Sequence, residues 1–404
     1  MSLIVQKFGG SSVRNAERLR SVAEIIAETY CAGNDLIVVL SAQGDMTDEL
    51  IAKASEIHHR PSKREMDMLL ATGEQISVAL CAMALEKMEI PCVSLAAWQV
   101  GIWTNEVHGD ARIQKIDSQR ISTELERRHV VLITGFQGVD QKGDITTLGR
   151  GGSDTSAVAL AAAFHADLCQ IYTDVEGVFT ADPRVVPTAR KLEEITYDEM
   201  LELAAQGANV LHHRSVELAK KYGVNLEVLS SMERVTGTKV REKTDEERLI
   251  AGVALNTDIA CVEMRGSHLV PQAVSEIAAL MNQSQIPVEA LHWKKDQADV
   301  GEICFLVSKQ DAEEADAILR QRQAELQFES VITDEKVGKV SAVGLHLLSK
   351  CGSAAVVLKA LFQENIPIRA IDATELRFSI FVDEENVAKA ARGIHDAFFE
   401  ETET

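Results

Sequence analysis

No Cys-x-x-Cys pair occurs in the 404 residues, although the chain has seven cysteines. They stand singly at positions 31, 81, 92, 169, 261, 304 and 351, and the count is odd. That scatter argues against a zinc site or a disulfide framework. It fits reduced, buried thiols in a cytoplasmic protein. Positive charge is also short: 41 Lys and Arg against 62 Asp and Glu give a formal net charge of −21. Nucleic acids and anionic membranes need a basic face, so neither is expected as a partner. An anionic ligand would have to be held by a few local groups against the field of the whole chain. Long hydrophobic runs are missing too. The longest, such as Val78 to Leu85, fall far below a bilayer span. The first residues enter a strand directly, without the basic and apolar regions of a signal peptide. What remains is 46% hydrophobic, enough for a large core and two or three domains.

Up to about residue 230, β-branched runs alternate with helix-like stretches. Leu3–Val5, Leu36–Leu40, Val93–Leu95, Val130–Thr134 and Leu168–Tyr172 read as strands, and Ala16–Cys31, Glu65–Met88 and Ala157–Phe164 as helices. This alternation predicts an α/β domain with a mostly parallel sheet, whose ligands sit beyond the carboxyl ends of the strands. The polar stretch 231–248 reads as a linker. Beyond it the sequence repeats: "PQAVSEIAALMNQSQIPVEAL" (271–291) matches "CGSAAVVLKALFQENIPIRAI" (351–371). A strand precedes each copy, and a further strand and helix follow it, giving a βαββα unit twice. A half-sheet covered on one face leaves open edges, so the two copies are expected to pair.

Several short stretches carry chemistry. "QKFGGSSV" (6–13) puts Lys7 and the bare backbone of Gly9 and Gly10 at a strand end, which suits a polyphosphate. The spacing is not that of a Walker loop, and a tight strand–helix turn explains the glycines equally well. "TLGRGGSDTSA" (147–157) is sharper: Arg150 precedes Gly151 and Gly152, then Ser153 and Asp154 open an apolar helix. A helix N-terminus, a cap and an arginine fit for a carboxylate converge there. Capping alone would explain Ser153 and Asp154 but not the Arg-Gly-Gly. "YTDVEGVFTADPR" (172–184) places Thr173 and Asp174 at a strand end and Arg184 on a proline turn, as for a nucleotide phosphate or ribose. "VLSAQGDMTDEL" (39–50) offers Ser41 and Thr47, and "LLATGEQIS" (69–77) offers Glu74, a possible anchor for a substrate ammonium.

In this order, the motifs KFGGSSV, VVLSAQGDMTDEL, Gly73-Glu74, GRGGSDTSA, TDVEGVFTADPR and GANVLHHRSVELA resemble those of aspartate kinases, of the amino acid kinase fold. The two C-terminal repeats resemble the paired ACT domains of the monofunctional members. The resemblance implies an amino acid kinase domain over 1–230, a linker over 231–248, and two ferredoxin-like βαββαβ ACT domains over 249–330 and 335–404. It implies transfer of the γ-phosphoryl of ATP to the side-chain carboxylate of L-aspartate. That is the first step toward lysine, threonine and methionine, with Mg²⁺ carried in on ATP rather than by protein ligands. The attacking carboxylate is already an anion, so no general base is needed.

Residue by residue, the resemblance makes Lys7 and Asp154 catalytic. Lys7 would contact the transferring phosphate, with Gly9 and Gly10 donating backbone N–H groups. Phe8, Ser41, Thr173, Asp174, the loop Phe179, Thr180, Ala181, Asp182, Pro183 and Arg184, and Asn209 would form the ATP site. Arg150, Gly151, Gly152, Ser153, Thr47 and Glu74 would seat aspartate, with Arg150 on its α-carboxylate and Glu74 on its ammonium. An amino-acid effector would use the second repeat through Gly352, Asp372, Thr374 and Glu375, and the ACT pair implies a homo-oligomer.

The chain departs from the family pattern in places. Asn209 stands where a lysine is usual, and His213 where proline is. The first repeat carries Gln272, Trp293 and Lys294 at places where small polar contacts are expected, and Cys351 replaces a proline in the second. Asn209 keeps open a catalytically weak amino-acid sensor as an alternative. Another amino acid kinase is a second alternative, against which Glu74, Arg150 and the ACT pair count.

Overall fold

The computed structural model describes residues 2–208, 210–244, 248–267, 270–295, 301–348 and 352–399. The chain forms two units. One is built from Met1–Phe179, Lys191–Ala205 and Asn209–Glu247, the other from Thr180–Arg190, Gln206–Ala208 and Arg248–Thr404.

The first unit is organised on an eight-stranded sheet. Its strands are β1 (Leu3–Phe8), β2 (Asp35–Leu40), β3 (Cys92–Leu95), β4 (Val130–Thr134), β5 (Leu168–Thr173), β6 (Glu194–Thr196), β7 (Leu226–Ser230) and β8 (Thr238–Arg241), in the order β6-β8-β7-β5-β1-β2-β4-β3. β1 pairs in parallel with both β2 and β5. Such strands are covered on both faces, and β2 and β4 accordingly read as unbroken apolar runs with almost every residue buried. The helices of this unit include α1 (Gly10–Val13), α2 (Ala16–Cys31), α3 (Met46–Ile57), α4 (Lys63–Leu70), α5 (Thr72–Lys87), α6 (Gly152–Ala163), α7 (Tyr197–Ala205) and α8 (His213–Tyr222). Asn15 caps α2 by accepting the Arg18 N–H at 3.0 Å. The inner faces of α2 and α5 pack on Phe8, Val38 and Leu132 to form one core.

Three expectations change here. β1 runs on to Phe8, so Lys7 lies within the strand rather than after it. The helix expected over Glu65–Met88 is broken at Ala71 into α4 and α5, since Gly73 comes close enough to the β2–α3 turn that a Cβ there would lie 2.7 Å from Ala42 Cβ. The combined span Lys63–Lys87 is long and apolar enough to cross a bilayer, but Val78, Cys81, Ala82 and Leu85 belong to this core. The stretch read as a linker contains β8. Thr238 is wholly buried there, and its hydroxyl donates to Leu192 O at 2.6 Å and accepts the Val178 N–H at 2.9 Å. Polar residues on its outer side hid the alternation of a strand.

The second unit holds two four-stranded antiparallel sheets. Its strands are β9 (Gly252–Asn256), β10 (Ile259–Ser267), β11 (Glu289–Lys295), β12 (Gly301–Ser308), β13 (Ser330–Asp334), β14 (Val337–Val343), β15 (Ala370–Ala373) and β16 (Arg377–Asp383). Its helices are α9 (Val270–Gln283), α10 (Lys309–Arg322), α11 (Ser353–Gln363) and α12 (Val387–Phe399). The sheet orders are β11-β12-β10-β13 and β9-β14-β16-β15. The repeat is thus present as two sheets with their helices, but its boundaries differ from the expected ones. β13 completes the first sheet, and β9, ahead of the first repeat in sequence, pairs antiparallel with β14 in the second. The physical reason is the open edge of β14, which β9 covers. The segment Thr180–Arg190 also joins this unit, with Ala181 and Val186 in the core of the second repeat.

Candidate active site

β1, the β2–α3 turn, α5 and the N-terminus of α6 surround a cleft of about 810 Å³ at the carboxyl ends of the central strands. It is lined by Lys7, Gly10, Ser41, Thr47, Glu74 and the run Arg150–Asp154. Strand alternation turns Phe8 into the core and Lys7 into the cleft. Lys7 is 9% exposed, and its Nζ stands 2.6 Å from Asp154 Oδ1, an ion pair with both side chains 11% exposed. Two loops close on this point because their glycines let them. A Cβ on Gly10 would lie 2.9 Å from Ala42 O, and the Gly44 N–H donates to Gly10 O at 3.0 Å.

α6 begins after Gly151, whose φ of +67° is in the left-handed region. A Cβ there would lie 2.0 Å from the His212 ring, so only glycine fits beneath the imidazole. The first turn of α6 carries Ser153 and Asp154, both 8% exposed, and its leading N–H groups have no helical partner. Arg150 is exposed at the rim of the cleft.

Glu74 sits on the opposite wall, 3% exposed. One carboxylate oxygen accepts the Ala42 N–H at 3.1 Å, and the other is buried without a partner. Burial pushes its pKa up to about 7, against the hydrogen bonds that favour the anion. An unsatisfied carboxylate oxygen facing a cleft whose other end carries Lys7 and Arg150 suits a ligand with an ammonium at one end and anions at the other.

The residues expected around the nucleotide divide. Thr173 and Asp174 lie at the end of β5, beside β1, where the Thr173 hydroxyl donates to Asp174 Oδ1 at 3.1 Å. Four residues depart from expectation. The Phe8 side chain is fully buried and stacks on Tyr172 at 4.5 Å. The Gly9 N–H donates to Tyr172 O at 3.2 Å, so the sheet uses the donor assigned to phosphate. Thr180 is 2% exposed, with its Oγ1 2.8 Å from His395 Nε2 and its carbonyl accepting the Val253 N–H at 2.7 Å. Ala181 is buried in the core of the second repeat. Phe179 is half-buried and forms a bridge to Lys191. Asp182 accepts from Arg184 Nη2 at 2.7 Å and from its backbone N–H at 2.9 Å across Pro183. That contact holds the Asp182 carboxyl below its usual range. Asn209 lies outside the described residues.

The effector residues also differ from expectation. Gly352 caps α11 at φ +105°, with open space where a Cβ would be. Asp372 is bound to Arg377 Nη2 at 2.6 Å, and Thr374 Oγ1 accepts the N–H groups of Leu376 and Arg377 at 3.3 and 3.2 Å. These groups, with the Glu375 carbonyl accepting the Leu347 N–H at 2.9 Å, hold the β15–β16 turn together; Asp372 and Thr374 are not polar groups waiting for a ligand. Gln272 is exposed, Trp293 is 53% exposed, and Lys294 pairs with Glu302 at 3.0 Å. Cys351 lies outside the described residues.

The sequence reading missed three residues. Asp67, 1% exposed, accepts from the Thr147 hydroxyl at 2.6 Å, the Thr147 and Gly109 N–H groups at 3.1 and 3.0 Å, and is 2.9 Å from His108 Nδ1. It thereby pins two loops of the cleft. Arg214 Nη1 donates to Leu148 O at 2.6 Å and Asp110 Oδ1 at 2.7 Å, and Nη2 to Ala111 O at 3.1 Å. It holds the segment that leads to Arg150. His212 covers Gly151, and burial lowers its pKa. The only signal for Asp67 is an acid set between two apolar residues, Met66 and Met68, inside an amphipathic helix.

The model of the amino acid kinase family matches residues 2–230, and an ACT domain model matches 340–398. An aspartokinase of Geobacillus stearothermophilus is 46% identical over 401 residues, covering 98% of this chain and 97% of that one. Among solved structures, E. coli aspartokinase III in complex with aspartate and ADP is 25% identical with a TM-score of 0.82, over 98% of this chain and 100% of that one. The same enzyme in complex with lysine and aspartate is 26% identical with a TM-score of 0.78 over the same shares. With this identity over nearly its whole length, and with the kinase sheet followed by the repeated antiparallel sheets, the chain belongs to the aspartokinase family, within the amino acid kinases.

Proposed function

We propose that the cleft of the first unit transfers the γ-phosphoryl group of ATP to the side-chain carboxylate of L-aspartate, giving 4-phospho-L-aspartate and ADP. The observation that carries this is the pairing of opposite chemistries in one cleft: the Lys7–Asp154 ion pair at one end and the unpartnered Glu74 oxygen at the other. Glu74 takes the substrate ammonium and Arg150 its α-carboxylate. Ser153 and Thr47 hold the substrate along α6 and α3. The β-carboxylate then faces the phosphoryl group as an anion, so catalysis rests on position and on charge stabilisation. Lys7 supplies that charge. Asp154, equally buried, keeps Lys7 extended across the cleft, and as the bond to the leaving oxygen of ADP breaks, Lys7 compensates the charge on the transferring group.

The nucleotide lies over the end of β5, with Thr173 and Asp174 beside it and Ser41 and Gly10 toward the phosphates. Mg²⁺ would be held by the phosphate oxygens and water, since the one carboxylate beside Lys7 is already neutralised by it. When bound, it supplies further neutralisation of phosphate charge. The second unit is read as a regulatory module for an amino-acid effector and as the contact between copies in a homo-oligomer, in a cytoplasmic protein.

ATP turnover with L-aspartate in Mg²⁺, measured against glutamate, acetylglutamate and uridylate, tests the reading. Turnover confined to aspartate supports it, and preference for another acceptor overturns it. Calorimetry with lysine, threonine and diaminopimelate tests the regulatory part, and sedimentation the oligomer.

A further inference from the structure

The kinase reaction makes no use of two cysteines on the open face of the first repeat's sheet. Cys261 lies on β10 and Cys304 on β12. In their antiparallel register Cys261 faces Leu306 and Glu263 faces Cys304, so the cysteines are diagonal neighbours on one face. Their sulfurs are 3.0 Å apart, about one ångström beyond a disulfide bond. Both are free thiols of intermediate exposure, and both line a cavity of about 410 Å³ shared with Val337 and Phe381 of the second repeat, so a small reagent can reach them.

A soft metal is the competing occupant. Two thiolates on one tetrahedral zinc stand about 3.8 Å apart, farther than these two. Among the described residues, the one group of three ligating side chains is elsewhere, at His108, Asp140 and Asp144. A pair this close, with no third ligating atom gathered within 4.8 Å of both sulfurs among the described residues, fits sulfur–sulfur bonding better than a cage.

We propose that Cys261 and Cys304 are a reversible disulfide modification site, closed by a small-molecule disulfide such as oxidised glutathione and reopened by thiols. Cys261 is the attacking group: the hydrogen bond between the two sulfurs holds its thiol below the usual range and raises that of Cys304. The Cys261 thiolate attacks one sulfur of the oxidant. That S–S bond breaks, one glutathione leaves as a thiolate and takes up a proton, and a mixed disulfide remains on Cys261. Cys304 loses its proton and attacks Cys261 Sγ, releasing the second glutathione. Two cysteine thiols are oxidised and one disulfide is reduced to two thiols. The bond joins positions 43 residues apart on strands already paired.

The test uses the full chain in glutathione buffers of graded ratio, followed by alkylation, digestion and mass spectrometry, with aspartate-dependent turnover as a check on the fold. Oxidising buffer should give a cross-linked peptide pair holding Cys261 and Cys304, an intact mass about 2 Da lower, and alkylation of both sites reduced roughly tenfold or more relative to exposed Cys31. In Cys304→Ser, a glutathione adduct should persist on Cys261, because nothing resolves it. Cys261→Ser should form little adduct at Cys304. The proposal is overturned if both thiols alkylate in oxidising buffer as they do in the reduced protein. It is equally overturned if Cys304→Ser holds no more adduct than the native chain.

Discussion

Among the described residues two lysines are buried, and they differ in what they face. Lys7 and its partner Asp154 are both 11% exposed in the wall of the cleft, so the pair shares one dry environment with whatever binds there. Lys339 on β14 is 4% exposed, but its partner Glu289, 2.8 Å away on β11, is 53% exposed. The second pair ties the two repeats together and keeps one end in water. The first can trade its partner for a ligand's charge, because both ions stand at the same depth beside an opening. Lys339 and Glu289 line neither of the two cavities described above. Burial alone does not mark a functional cation; burial of the whole pair beside a cleft does.

The comparison breaks most sharply at Lys7. Lys7→Ala should lower kcat by about 10²–10³, the scale of losing one preorganised charge-stabilising donor, with circular dichroism unchanged. A variant that keeps most of its turnover removes Lys7 from the chemistry. Arg150→Ala should cost about 30- to 300-fold in kcat/KM for aspartate, as expected for one charged hydrogen-bonded contact, while the KM for ATP moves little. A collapse of ATP affinity instead would move Arg150 to the nucleotide side.

Glu74 gives a pH signature. With its pKa near 7 in the folded protein, it loses the charge that holds an ammonium as pH falls. kcat/KM for aspartate should therefore drop about tenfold per unit below that value, and Glu74→Gln should flatten the profile. The same group acts on stability with the opposite sense. The folded state binds its proton more tightly than the unfolded chain, where the value is 4.5. Its contribution is thus fully present below about 4.5 and lost as pH rises through about 7. At pH 8, Glu74→Gln should stabilise the ligand-free protein by about 2–3 kcal/mol in urea denaturation.

Lys339 sharpens the contrast from the other side. Glu289→Ala leaves a buried cation without its partner and should cost about 1–2 kcal/mol, less than a fully buried pair because water reaches the carboxylate. Lys339→Met replaces the cation with an apolar side chain of similar length and should change stability by about 1 kcal/mol or less. Neither should alter kcat. Loss of turnover in either variant would make the second pair functional as well.

The parts of the site legible in the sequence are those where one short stretch carries the whole device. Lys7 with its glycines, Arg150 to Asp154, and Glu74 each announce themselves locally, and the cleft brings them together. What was not legible depends on distant partners. Asp67 matters because Thr147 and Gly109 come to it, and Arg214 because Leu148 and Ala111 do. The 179–184 motif reads as one binding loop, yet the chain passes from the first unit to the second between Phe179 and Thr180, and Thr180 is taken up by His395. The ACT boundaries failed for the same reason, since the edge that β9 fills is made by a strand some eighty residues further on.

That exchange of β9 makes the first repeat a guest inside its host. Residues 259–334 leave the second repeat's sheet after β9 and re-enter it at β14, and these two strands are paired, with Asn256 opposite Lys339. The guest is therefore held by two adjacent stems, the arrangement in which a whole domain can be inserted into a hairpin or removed from it without disturbing the host. Replacing residues 257–336 by a two-residue turn should leave a four-stranded sheet that still folds. In the intact chain, a force or ligand that shifts the guest reaches the host through the register of β9 on β14 as well as through side-chain links such as Lys339–Glu289.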